Sequence, residues 1–325
     1  MIRVRIVVVI LALALAAVAL ASCGGGGEED PREVLDNVSF EGVESASFDA
    51  ALGVKASGKQ AADVDINVSG QFQREGLDLP RLNTTATVKG TAAGGPVDFE
   101  GGLTLLGDHG FVNYKGIVYE IDPNNFGFAR SIFLPGVEQK GKEGGPEVAA
   151  CKQVLAGVPV SELVEKPRNE GTVDVAGEET TKVSGELNVK AVAAVLEEMI
   201  IDLDCRVQLE AISPLPLYEL RQIGDELSET VKQAQIDVYV GDDDIIRRLV
   251  AEFTAARQGQ QIAVDLDLSL ADVNQEQTIE APAGASKPLQ TLFLKLGINP
   301  IVFLSSSGGE VVTLLLEKVS ADALP

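Results

Sequence analysis

The sequence is dominated by a two-residue alternation of apolar and polar positions. Val64, Ile66, Val68 and Phe72 alternate with Asp63, Asp65, Asn67, Ser69 and Gln71, the pattern of a strand with one wet face. Phe48, Ala50, Leu52, Val54 and Ala56 show the same period, as do Ile262, Val264, Leu266, Leu268 and Leu270. Ile236 and Val238 alternate with Asp237 and Tyr239, and an Asp242-Asp243-Asp244 turn follows. Further strands are predicted at Asn83–Gly90, Pro96–Leu106, Gly110–Ile121, Gly171–Ala176, Thr180–Leu187 and Ile245–Thr254. The last long strand is expected to stop its ladder at Pro282.

Helical spacing is confined to a few stretches. Pro31 opens a short one with Val34, Leu35 and Val38 on one face, and Pro146–Ala156 forms another that carries Cys151. Asn188 reads as the N-cap of a helix with Val192, Val195, Leu196, Met199 and Ile200 as its stripe. Pro216 starts a fourth, along Leu220, Ile223, Leu227 and Val231. Consecutive strands with short turns, interrupted by helices in the middle, predict an α+β domain built on an antiparallel sheet. It spans residues 32–286, and residues 287–325 form a docked C-terminal extension.

The amino terminus departs from this pattern. Arg3 and Arg5 precede an apolar run from Ile6 to Ala21, then Ser22, Cys23 and a Gly/acidic stretch. A charged n-region, an apolar h-region and small residues at the cut make a secretory signal, shorter than the about 20 residues of a membrane span. Leu20-Ala21-Ser22-Cys23 resembles a bacterial lipobox, which implies cleavage after residue 22 and acylation of Cys23 by a palmitate-type chain. The alternative is an ordinary signal peptide with a cysteine near its cut. Residues 23–31 would then be a flexible tether to the extracytoplasmic face of the cell membrane. In that oxidising compartment Cys151 and Cys205 are left as an even pair, a disulfide or two buried thiols.

Charge and chemistry narrow the function. A net charge of −23 repels nucleic acid phosphates and anionic lipid headgroups alike. The single histidine, His109, sits in a Gly-Asp-His-Gly turn, and there is no nucleophile elbow or phosphate-binding loop. Asp242 to Asp244 lack the alternate spacing of a calcium loop. No catalytic residue, metal site or cofactor is expected, so the chain is read as a non-enzyme. What stands out is an aliphatic sheet face with no Trp in the whole sequence.

Taken together, the organisation resembles the LppX/LprG-type (LppX_LprAFG) lipoproteins, of LolA/LolB-like fold. The resemblance rests on Cys23, the strands around Val64–Phe72 and the Asn113–Tyr119 strand turn, and on the Thr181–Leu196 strand-to-helix step. It also includes Ile236–Ile246 and the run from Ile262 to Pro282. It implies a strongly curved antiparallel half-barrel with helices packed over its concave face, enclosing an apolar cavity. The implied function is binding acyl lipids or glycolipids and carrying them between envelope layers, with a membrane lipid transporter as a further partner. The expected lining is Val64, Ile66, Val68, Phe72, Ile236, Val238, Val264, Leu266 and Leu268. The rival is an envelope-sensing regulatory lipoprotein that acts through a protein partner.

The acylation expectation is tested by Cys23→Ser, which should release the protein from membranes or leave an uncleaved precursor. Normal processing with unchanged membrane attachment would contradict it.

Overall fold

The computed structural model describes residues 30–38, 42–58, 61–74, 80–92, 95–107, 109–121, 158–202, 230–257 and 260–297. Helix α1 (Pro31–Asn37) precedes six strands, β1 (Ser45–Ala56), β2 (Ala62–Gln73), β3 (Arg81–Ala92), β4 (Gly95–Leu105), β5 (Gly110–Tyr114) and β6 (Ile117–Ile121). Helix α2 (Val160–Leu163), β7 (Val164–Val175), β8 (Glu178–Leu187) and helix α3 (Val189–Ile201) follow. Strands β9 (Val231–Gly241), β10 (Ile246–Arg257), β11 (Gln260–Ala271) and β12 (Lys287–Pro288) lead to helix α4 (Leu289–Lys295). All the described strands belong to one sheet, in the order β12-β6-β5-β4-β3-β2-β1-β11-β10-β9-β8-β7. Only β12 is parallel to its neighbour, so the sheet is mixed.

The alternation seen in the sequence fixes the register. Val64, Val54, Val264 and Phe253 form one row across four strands. Ile66, Leu52, Leu266, Ala251 and Ile236 form the next. Because side chains alternate along every strand, these rows place aliphatic groups on one face and Asp, Asn, Ser and Lys on the other. Leu52, Val54, Val264 and Leu266 are all buried, and burying each such side chain contributes about 1.5–3 kcal/mol. Helix α1, capped by the Asp30 carboxylate accepting from the Arg32 N–H at 2.9 Å, adds Val34 and Leu35 to a second cluster with Val183, Ile236 and Val238.

The opposite face is held by charge. Arg248 grips Asp267 with two hydrogen bonds of 2.8 and 2.6 Å, and Lys182 pairs with Asp237 at 2.8 Å. Lys182 and Arg248 also lie 5.4 and 5.5 Å from the ring centroid of Tyr239, which stands between them on β9. The hydrogen bonds that Asp237 and Asp267 accept hold the Lys182 and Arg248 cations above their ordinary pKa values, against their partial burial. At the corner of the β9–β10 turn, buried Arg247 donates to Glu178 and Asp243. Burial works against its charge, and the two carboxylates outweigh it.

The expected strongly curved half-barrel with a helix-covered concave face and an enclosed apolar cavity is not what forms. The sheet is open and not strongly curved, with β12 and β7 at its two ends. Both ends resist pairing. Pro288 lacks an N–H on one, and on the other one register shift spans Lys166, with φ 51°, and Pro167, and a second spans Glu170. The described helices are short, and they pack chiefly at the flanks, α1 and α2 near β7 and α4 on β6. Among the described residues, no helix is long and apolar enough to cross a membrane.

Smaller differences also have local causes. The stretch expected as one strand at Gly110–Ile121 is a hairpin, turned at Lys115 and Gly116 with φ 50° and 74°. Strand β11 ends at Ala271, ahead of Pro282, because Asp272 (φ 51°) and Asn274 (φ 59°) turn the chain back. The returning segment ties down the end of β1 through Asn274 N–H to the Ser45 carbonyl at 2.8 Å. Asn188 caps α3 as expected, accepting from the Ala191 N–H at 3.1 Å. The helix expected at Pro146 and most of that expected from Pro216, with Cys151, Cys205 and Cys23, lie outside the described residues, and Val231, expected on the stripe of the latter helix, instead begins β9.

Close strand approach sets a test of the packing. A Cβ on Gly70 would stand 2.2 Å from the Asn83 carbonyl oxygen, whereas one on Gly53 would meet the side chains of Asp265 at 3.6 Å and Asp65 at 3.7 Å, both ordinary contacts. Gly70→Ala should therefore cost about 1–3 kcal/mol, and Gly53→Ala less than about 0.5 kcal/mol, as read from urea unfolding. Equal effects would contradict the register.

Candidate functional site

The apolar face is not uniform. On β9 and β11, Ile236, Val238, Val264 and Leu266 are buried, Val238 and Val264 at 1% exposure. On β2, Val64, Ile66, Val68 and Phe72 are only partly buried, as is Leu268 on β11. The nine residues expected to line a site thus share one face but divide into two environments. Ile236 and Val238 pack with α1 and Val183. Val264 and Leu266 close a solid cross-strand cluster with Leu52 and Val54. Those four are core.

The partly buried portion starts at the margins of that core, Ile66 packing against the Leu52 cluster and Phe72 against the α1 cluster, and extends away from it. Ile66 pairs with Val88, and Val88 with Phe99. Thr84 pairs with Leu103, and Val64 with Gly90, which faces Val97. Val88, Val97, Phe99 and Leu103 are all partly buried, so they continue the surface of β2 over β3 and β4. None of these four was among the residues expected to line a site. Val97 and Phe99 alternate with Asp98 and Glu100, which is a signal in the sequence, but in β3 the Thr84, Ala86 and Gly90 positions dilute it.

Two features limit what this surface holds. Its floor is shallow, because Ala86, Gly90 and Gly101 stand where larger side chains would fill the space. Its far end is closed by Tyr114 and Tyr119, both buried, with Phe99 and Tyr114 ring centroids 6.0 Å apart. The result is an aliphatic strip edged by aromatic rings, without an ionisable group in its rows on β2, β3 and β4. Such a surface offers dispersion and water exclusion, and no acid–base chemistry.

The other face carries a cleft of about 390 Å³, lined by Asp49, Asn67, Ser69, Asp174, Arg248 and Asp267 among others. Its lining also includes Ala51, Val68 and Val175, but an acyl chain there would cover the charged Asp49, Asp174, Arg248 and Asp267, which costs free energy. His109 lies in the β4–β5 turn, where its carbonyl accepts from the Leu106 N–H at 2.8 Å. The acidic turn has a structural duty that the sequence did not suggest, since Asp243 holds Arg247 at 2.9 Å. Among the described residues, no group of three or more His, Cys, Asp or Glu side chains is arranged to hold a metal ion.

No family model matches the chain, and no curated protein sequence is significantly similar to it. Among solved structures it is similar to LprF from Mycobacterium bovis, at 15% identity and a TM-score of 0.36, over 79% of this chain and 100% of that one. It is also similar to the Mycobacterium tuberculosis lipoprotein LppX, at 14% identity and a TM-score of 0.27, over 74% of this chain and 92% of that one. Likeness at this level does not carry the reading that follows, which rests on the sheet itself.

Proposed function

We propose that the protein binds the acyl chains of a lipid or glycolipid along the aliphatic strip of β2, β3 and β4, and carries them between layers of a cell envelope. The observation that supports this most is the contrast within one face. Val264 and Leu266 are buried in a packed cluster, while Val64 and Ile66, two strands away in the same rows, and Val68 and Phe72 on the same strand stay partly accessible, Ile66 and Phe72 at the margins of the packed clusters. Leaving contiguous aliphatic surface in contact with water costs free energy, and a lipid chain laid along it recovers that cost.

Acyl chains need such a surface. Each methylene exposed to water costs about 0.8 kcal/mol, so a lipid does not cross an aqueous layer unaided. Exchanging membrane contacts for contacts with Val, Ile and Phe side chains leaves uptake and release close to balance. That exchange requires no nucleotide and no covalent step. Acylation at Cys23 would keep the carrier on the extracytoplasmic face of the membrane, and a membrane lipid transporter would be its natural supplier. The same surface could not serve a nucleic acid, given a net charge of −23.

Two tryptophan substitutions separate the strip from the core. Val68→Trp should leave the melting temperature nearly unchanged and lower the lipid recovered in organic extracts of the purified protein. Val264→Trp, in the buried cluster, should cost about 1–3 kcal/mol by overpacking. Strong destabilisation by Val68→Trp with unchanged lipid would mean that the strip is ordinary core, and the proposal would fail.

A further inference from the structure

Large apolar side chains that the fold leaves accessible include Ile201, 61% exposed, and Leu294, 73% exposed. Their surroundings are opposite. Ile201 ends α3, in a last turn that carries Glu197 and Glu198 and is followed by Asp202. Leu294 belongs to α4, whose Leu292 and Phe293, with Leu296 just beyond, are buried against Tyr114 and Tyr119. Three buried anchors fix the helix on the sheet edge and turn Leu294 outward.

Cations gather at the same corner. The ammonium groups of Lys115, in the β5–β6 turn, and Lys295, at the end of α4, each lie 5.5 Å from the centroid of the Tyr114 ring. Lys287, opposite Tyr119 in the β12–β6 pair, is exposed along the same edge. On a chain of net charge −23, three lysines beside the most exposed of these apolar residues form a local exception, outnumbering Glu120, which lies opposite Pro288 on the same edge and accepts from the Ser286 hydroxyl at 2.9 Å. The acidic body is repelled by an anionic surface, so this corner is the part that such a surface admits.

We propose that the α4 corner docks on an anionic lipid bilayer, with Leu294 entering the interface and Lys115, Lys287 and Lys295 meeting the headgroup phosphates. An outward leucine flanked by lysines, two of them with their ammonium groups beside the Tyr114 ring, is the chemistry of interfacial binding. It overrides, at one place, the repulsion of anionic headgroups expected from net charge alone. The docking would orient the carrier on a membrane, and it does not depend on what the β2–β4 strip holds.

The absence of tryptophan makes the test direct. The full chain carrying Leu294→Trp is bound to vesicles of phosphatidylcholine alone, or of phosphatidylcholine and phosphatidylglycerol in equal parts. The control carries Ile201→Trp, and circular dichroism verifies that both variants fold. With phosphatidylglycerol present, the Leu294→Trp emission should shift to the blue and be quenched by brominated acyl chains, while Ile201→Trp is unaffected. Adding Lys115→Gln or Lys295→Gln should weaken this partitioning about fivefold per lysine. Three results would overturn the proposal: no quenching at position 294, equal quenching at both positions, or quenching indifferent to phosphatidylglycerol and to the lysines.

Discussion

The structure depends on the pleat. In a strand each residue points opposite to its neighbour, so a sheet has two chemically independent faces only if every pairing keeps its register. Here the register holds from β6 to β11 without a slip, as Ile66, Leu52 and Leu266 or Val68, Ala50 and Leu268 show by lying directly across from one another. A shift of one residue in β1 alone would bring Asp49 and Lys55 onto the aliphatic face. Among the described residues, bulges occur only farther out, in β10 against β9, where one spans Arg247, and in β7 against β8.

That constraint explains how the two faces divide their work. The polar face is stitched by Arg248 to Asp267 and Lys182 to Asp237, partly exposed pairs that steady the outer strands and each contribute modestly. The aliphatic face stabilises the fold more, yet only part of it is packed. Around Leu52, Val54, Val264 and Leu266 the side chains meet one another and are buried. Toward β3 and β4 the rows thin to Ala86, Gly90 and Gly101, and the aliphatic side chains beside them remain partly accessible. A surface of this kind is suited to a ligand without directional bonding, which is what an acyl chain is.

Much of this was legible in the sequence, because period-two alternation is a local property. Strands β1, β2, β9, β10 and β11 fall where Phe48–Ala56, Val64–Phe72, Ile236–Val240, Ile245–Thr254 and Ile262–Leu270 place them. The Asn188 cap was legible too, since its partner is three residues away. Shape was not. Whether a sheet curls shut depends on what its edges can pair with, and the sequence does not say which strands become edges. Pro288 closing one edge and Pro167 interrupting the other acquire that meaning only once β12 and β7 are known to lie outermost. The split of the nine lining residues into core and strip is equally non-local, because Val64 and Val264 read alike in sequence and differ in their neighbours, Val264 lying between Val54 and Phe253 and Val64 beside Gly90. The basic corner at Tyr114 joins residues far apart along the chain, and no window on the sequence contains both Lys115 and Lys295.

The central claim is that acyl chains lie along β2, β3 and β4 on the aliphatic face. Photo-crosslinking with a diazirine-bearing fatty acid, followed by mass spectrometric mapping, tests it most directly. The account predicts adducts at Val64, Ile66, Val68, Val88 and Val97, with little at the buried Val264 and Val238. Adducts confined to the opposite face, around Asn67 and Ser69, or none above those of the unfolded chain, would contradict it.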